Sequence, residues 1–295
     1  MRSLTEFPAM GAENLSILRR FIDGGFKTFS REYGEMLERL FDPLREFLIF
    51  SERLLTESPW PLVLGAIALI AWLASRSWKI TLGTVLTLLA IGYFGMWVDT
   101  MKTVSMIFVC TVVALALGLP IGIAMSRWDR LQKGVNPVLD VMQTMPSFVY
   151  LIPVVMLLGI GRVAGMIAVV VYAIPPVIRF TNLGIRLVDV DLLEAADAFG
   201  ASMWQKMLKV QLPLALPTIM AGINQTIMLS LAMVVIASMI GVQGLGEPVL
   251  KAIGNQYFTM GMLNGLAIVG IAIIFDRVSQ TYGKRLQKHL EVVHG

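Results

Sequence analysis

Few residues in this sequence have the types and spacing that reaction chemistry needs. The single cysteine, Cys110, lies inside an apolar stretch, which excludes an intramolecular disulfide and a multi-cysteine metal site. His289 and His294 sit in a polar tail without other ligand types at metal spacing. They read as solvated side chains, so neither a metal nor another cofactor is expected. No nucleophile–base pair occurs in or near the apolar segments, which argues against an enzyme. No G-x-x-x-x-G-K-[S/T] string is present, so the chain carries no ATP site of its own. No basic cluster is interleaved with aromatics, so no nucleic-acid partner is expected. The polar residues that do stand out fall in two places. Some interrupt apolar stretches: Asp140, Gln143, Thr144, Ser147 and Tyr150 among Pro146 and Pro153, and later Asn224, Gln225, Thr226 and Ser230. The rest form a polar segment from Val190 to Pro213.

The elements that must hold these residues are membrane helices. Of 295 residues, 56% are hydrophobic and 15% charged, too apolar for a soluble chain of this length. Apolar stretches at 60–75, 80–98, 103–125, 137–159, 163–179, 212–241 and 261–276 give about seven spans, the first and last short enough to borrow flanking residues. No β pattern and no internal repeat is evident. The fold class is therefore all-α, a polytopic transmembrane bundle. Thirteen basic residues fall in one set of loops, from Arg76 and Lys79 to Arg285 and Lys288; the opposite loops hold only Lys102, Arg162 and Lys251. The positive-inside bias places the first set, and the C-terminal tail 278–295, in the cytoplasm. Seven spans then put residues 1–58 outside. That segment lacks the continuous apolar core of a cleavable signal peptide. Phe26, Phe29, Tyr33, Met36, Leu37, Leu40, Leu44, Phe47 and Leu48 recur in it at helical spacing, interrupted by Pro43, which predicts two amphipathic helices on the membrane surface or the bundle.

The segment between the fifth and sixth spans is dense in local signals. Asp191 with Glu194 has the form of a capping box, and Leu192, Ala195, Ala196 and Phe199 then share one face of a short helix. Gly200 stands where a helix C-terminus calls for a left-handed residue. Ser202 with Gln205 is a second capping box, opening a helix that carries Trp204, Met207 and Leu208, and Pro213 suits the start of the next span. The expectation is helix, tight turn, helix, with Ala195 and Ala196 letting another surface approach the backbone.

Glu194-Ala195-Ala196, Gly200 six positions after the glutamate, and Leu212-Pro213 resemble the EAA loop of ABC importer permeases. The resemblance implies a type I importer fold in which loop 186–212 is the coupling element, with Glu194, Ala195, Ala196, Gly200, Ala201 and Pro213 as its docking residues for a cytosolic ATPase. Over about residues 100–280, the strings Gln143-Thr-Met-Pro-Ser-Phe-Val-Tyr-Leu-Ile-Pro153, Pro175-Pro-Val-Ile-Arg179, Lys209-Val-Gln-Leu-Pro213, Asn224-Gln-Thr-Ile-Met228 and Met233-Val-Val-Ile-Ala237 look like the glycine betaine, proline betaine and choline branch. Gln243, where that branch has a small glycine, together with Arg162 and Asp197, departs from the pattern. The resemblance further implies ATPase subunits, a second permease copy and a separate substrate-binding protein, in a bacterial cytoplasmic (inner) membrane. Two peripheral helices at 59–98 and a core at 99–277 complete the expected organisation.

Polar residues in a span are costly and usually face a cavity or a partner helix. The candidates for the translocation path are accordingly Gln143, Ser147 and Tyr150 in the proline-broken fourth span, with Asn224, Gln225 and Ser230 in the sixth. Tyr150, Phe148 and Tyr172 offer aromatic faces for a quaternary ammonium. Close helix approach at Gly118/Gly122, Gly161/Gly165 and Gly261/Gly265 is a further expectation. Two other readings stay open: the same architecture carrying a sulfonate or an amino acid, and an ion-driven carrier, for which Asp140, expected near the cytoplasmic entrance, is the one candidate for an ionisable residue on the route.

Overall fold

The computed structural model describes residues 10–294; the side chains of Glu35, Leu37, Glu38 and residues 287–294, His289 and His294 among them, lie outside the described set. Among the described residues every regular element is a helix. Four helical runs are long and apolar enough to cross a membrane alone: α4 (Trp97–Arg127), α7 (Arg162–Arg186), the run Met203–Ile240 and the Phe258–Leu286 part of the last helix. Two bent helix pairs pass the same test only when each is taken as one span. The C-terminal part of α1 (Ala12–Thr56) meets α2 (Trp60–Ser75) at 108°, and α5 (Asp129–Thr144) meets α6 (Ser147–Leu158) at 102°. The second apolar stretch, 80–98, holds α3 (Trp78–Tyr93), whose 16 residues rise only about 24 Å against a hydrocarbon core of about 30 Å. The last stretch is not short: it lies inside a helix running from Phe258 to His294.

The break in the fourth span has a local cause. Met145 precedes Pro146, and proline pushes its predecessor out of the helical region; Met145 is extended (φ −66°, ψ 132°) and caps α5. Pro43 has no such effect. α1 is one helix through it, contrary to the two helices that its position suggests. A proline removes one helical hydrogen bond, but just beyond it Leu48 is buried in the main core and Ser51 is buried too, so packing holds the helix on course.

The core is assembled around α7. Met106, Ile107, Cys110 and Ala114 of α4 meet Met166, Val169 and Val177 of α7 and Met233 and Val234 further along the chain, all buried. Glycine sets how closely α4 and α7 approach. A Cβ at Gly122 would lie 2.6 Å from Thr181 Cβ and 2.8 Å from the Ile178 carbonyl oxygen, and one at Gly118 would lie 2.4 Å from Val177 Cγ1. The other two glycine pairs are unequal: Gly165 packs on Val242 and Gly261 on Ala252, while Gly161 and Gly265 face open space.

Two residues that depart from the family pattern account for each other. Arg162, at the start of α7, donates to Glu52 of α1 at 2.8 Å and to Gln243 Oε1 at 2.8 Å; Lys102 of α4 reaches the same Gln243 oxygen at 3.0 Å. A glycine at 243 would leave both cations without that acceptor. This cluster ties α1 to the same end of the bundle at which α4 and α7 begin.

Candidate functional site: the loop between α7 and α10

The loop leaves α7 at Arg186 and returns to the bundle at Leu212, the first residue of α10 (Leu212–Ala237). Its first helix is α8 (Val190–Ala198). The N-cap is Asp189, whose carboxylate accepts from the Asp191 backbone N–H at 3.0 Å, so the Asp191–Glu194 capping box expected from sequence is not the one formed. The helix begins earlier because Asp189 already offers the capping oxygen, and Asp191 then sits in the first turn, where negative charge favours the helix dipole. The exit is as expected. Gly200 has φ +73°, its N–H bonds the Asp197 carbonyl at 2.9 Å, and the Ala201 N–H bonds the Ala196 carbonyl at 3.0 Å. That is the paired closure of a Schellman motif, with Gly200 in the left-handed position.

The second helix, α9 (Met203–Lys206), is opened by the Ser202–Gln205 capping box, both halves of which form. Asp197 and Lys206 clamp the two helices together, with the ammonium 2.6 Å from both carboxylate oxygens. Residues 207–211 then form a π-helical turn, a feature the sequence reading missed. Its signal was Pro213, which cannot bond the Lys209 carbonyl and would clash with it in a regular helix; widening the preceding turn relieves this.

Arginines pin both ends of the loop to the same place. Arg186 donates to the Met125 carbonyl at 2.9 Å, to Asp129 at 2.6 Å and to Asn182 at 3.1 Å, fixing the loop's root to the corner between α4 and α5. Arg127, the last residue of α4, contacts Met203 and lies 6.0 Å from the Trp204 ring centre. Val188 and Met207 are buried at the loop's base, while its helices stay open. No residue of α8 is buried; Glu194, Ala195 and Gly200 are exposed, Ala196, Ala201 and Pro213 are half-buried, Phe199 is 92% exposed and Trp204 70%. The result is a capped, doubly anchored knob that presents the apolar side chains of Phe199 and Trp204.

The path candidates separate. Asn224 and Gln225 line a groove of about 560 Å³ formed by residues of α7, α10 and α12 (Phe258–His294). Gln143, Ser147, Tyr150 and Ser230 do not line it. Tyr150 is buried, its hydroxyl donates to the Met142 carbonyl, and its ring is edge-on to Tyr172 at 5.6 Å. Ser230 is fully buried in the core. Asp140 is paired with Arg179, so it is no lone carboxylate. The residue that sequence reading passed over is Asp276, which accepts from Asn224 Nδ2 at 3.1 Å and Gln280 Nε2 at 2.6 Å. It ends the apolar stretch 261–276; the i, i+3, i+4, i+7 spacing of Asp276, Ser279, Gln280 and Gly283 marks one face of a longer helix.

Comparison with known proteins agrees with this architecture. Residues 114–288 match the family described as binding-protein-dependent transport system inner membrane component. The chain is 42% identical over 291 residues to the glycine betaine/proline betaine transport system permease protein ProW of Escherichia coli, covering 95% of this chain and 82% of that protein. It is 46% identical over 229 residues to the glycine betaine/carnitine transport permease protein GbuB of Listeria monocytogenes, covering 77% and 81%. Its fold resembles that of an inward-facing MetNI methionine ABC transporter chain, with a TM-score of 0.57 and 21% identity over 62% of this chain and 92% of that one. The helical bundle, the family match and the length of the aligned relatives lead to one conclusion: the chain belongs to the family of inner membrane components of binding-protein-dependent transport systems, as a membrane-spanning permease.

Proposed function

We propose that this permease imports quaternary ammonium solutes, with glycine betaine, proline betaine and choline as the class. The observation that carries the reading is the 42% identity to a glycine betaine/proline betaine permease along nearly the whole chain. The working complex is then two copies of this chain, two cytosolic ATPase subunits and a separate substrate-binding protein outside the membrane. ATP hydrolysis belongs to the ATPase subunits. The loop 186–212 docks on them through Glu194, Ala195, Ala196, Gly200 and Ala201, with Pro213 fixing its return to α10. Arg127, Arg186, Arg285 and the loop lie at one end of the bundle, the end rich in basic residues, which supports a cytoplasmic loop and C-terminus. The opposite end, where Glu52 of α1 meets Arg162, then faces outward.

In this scheme ATP draws the ATPase dimer shut and brings the two loops together. Because each loop is pinned to α4 and to the α4–α5 corner, its displacement is passed to the spans as a rigid-body movement from inward-open to outward-open. The binding protein releases solute into the open cavity, and hydrolysis resets the inward state. Among the path candidates, Asn224 and Gln225 line an open groove, which supports a place on the route. Gln143, Ser147, Tyr150 and Ser230 remain proposals on the strength of the broken span and its polar groups alone.

The experiment is uptake by the reconstituted complex of labelled glycine betaine, proline betaine and choline beside methionine and a small alkyl sulfonate. Uptake of at least one quaternary ammonium solute, with the other two compounds excluded, is the expected outcome. Transport of methionine or the sulfonate in its place would keep the architecture and overturn the substrate class.

A further inference from the structure

The groove over α10 holds chemistry that the coupling loop does not use. Its lining includes Phe180, Asn224, Gln225, Ser279, Gln280 and Lys284. The amides of Asn224 and Gln280 both donate to one oxygen of Asp276, and the Ser279 hydroxyl donates to Asn224 Oδ1. Among the described residues, no basic side chain pairs with Asp276. A carboxylate in a membrane-spanning helix is costly, and such residues cluster on substrate and ion routes. Amide donors orient the Asp276 carboxylate without cancelling its charge, so the wall formed by Asn224 and Gln280 is electronegative. Eight residues further along α12, about 12 Å by helical rise, Lys284 lines the same groove with an exposed side chain. Its flexible stem lets the ammonium cover much of that interval. Phe180 supplies an aromatic ring in the lining, anchored by its Cβ against Gly222.

We propose that this groove is a transient cargo site on the permease itself, complementary to a zwitterion with a quaternary ammonium at one end and a carboxylate at the other. The ammonium end lies toward the Asp276-backed wall and the Phe180 face, where cation–π attraction needs no hydrogen bond from the ligand. The carboxylate end lies toward Lys284. A volume of about 560 Å³ leaves room for a small solute with water around it, which suits a site that must release its cargo. Asp276 acts here as a charge behind the contact surface, and Asn224 and Gln280 transmit its polarity to the ligand. The inference rests on the quaternary ammonium reading and names the residues and the charge pattern that the reading leaves open.

The test places a thiol in the groove of the assembled complex, as Ala221→Cys in a Cys110→Ala background, and follows its alkylation by a maleimide. Glycine betaine and tetramethylammonium, the second a cation without a carboxylate, are added at millimolar concentrations. Both are expected to slow labelling at least threefold. Lys284→Gln is expected to abolish protection by glycine betaine and to spare protection by tetramethylammonium; Asp276→Asn is expected to abolish both. A purely structural part for Lys284 would alter both ligands together or neither. The proposal is overturned if neither ligand protects the thiol, if Lys284→Gln affects the two ligands alike, or if a second copy covers the groove so that the reagent never reaches the introduced thiol. Uptake by the same complex separates the two failures: glycine betaine uptake without groove protection removes the site and leaves the function, whereas absence of all quaternary ammonium uptake removes both.

Discussion

Replacing Gly200 by valine is expected to leave the permease inserted and folded while lowering solute transported per ATP hydrolysed about tenfold. Gly200 has φ +73°, and a Cβ built there meets nothing within 4 Å. The effect is therefore one of backbone, not of crowding. A β-branched residue in the left-handed region costs about 1–2 kcal/mol, comparable to the ~1.4 kcal/mol that changes an equilibrium tenfold. The exposed turn can escape that strain by abandoning the bonds from Gly200 to Asp197 and from Ala201 to Ala196, and α8 then leaves the direction that the Asp197–Lys206 clamp and the Arg186 anchor give it. ATPase turnover and uptake, measured together in proteoliposomes, report the ratio. Gly200→Asn, which tolerates the same φ, is expected to retain at least half of it. A valine variant with an unchanged ratio would show that the turn does not position the docking surface.

Gly122→Leu is expected to abolish the folded permease. The new Cβ would lie 2.8 Å from the Ile178 carbonyl, a backbone atom that cannot rotate away, and 2.6 Å from Thr181 Cβ. Relief requires separating α4 from α7, the pair at the centre of the core, at a cost of about 3 kcal/mol or more. Gly265→Leu is the matched control: its Cβ meets nothing within 4 Å, and a change within about 0.5 kcal/mol is expected. Yield and thermal unfolding of the detergent-solubilised protein distinguish the two. A Gly122→Leu protein as stable as the Gly265→Leu protein would contradict the close approach of α4 and α7.

The contrast between those glycines shows where sequence reading stops. Gly118/Gly122 and Gly261/Gly265 have the same spacing, yet only the tertiary arrangement decides which Cβ positions are filled. The local structure of the loop between α7 and α10 was legible because its signals are local: a left-handed glycine after one helix and a capping box before the next depend on residues within a single turn. Even there the N-cap was misplaced by two residues, since Asp189 and Asp191 both carry a capping carboxylate and the chemistry of the side chain does not choose between them. Pro43 misled for the opposite reason, because burial of Leu48 and Ser51 sustains a helix that local propensity would break. Arg162 and Gln243 looked like unrelated departures until the fold brought both to Glu52 and Lys102. Asp276 was lost by ending the last span too early; its partners Asn224 and Gln280 lie 52 residues away and 4 residues away, and only the second separation is visible as a helical repeat.

In the proposed mechanism this bundle moves solute because an ATPase moves its loop. The most direct measurement is accumulation of labelled glycine betaine in proteoliposomes containing the permease, its ATPase and its binding protein, with ATP supplied on the ATPase side and with ionophores present or absent. Accumulation is expected to require ATP, to stop when a non-hydrolysable analogue replaces it, and to be indifferent to collapse of ion gradients. Accumulation that proceeds without ATP and disappears with the ionophore would contradict the mechanism, and would assign the chain to ion-driven carriers.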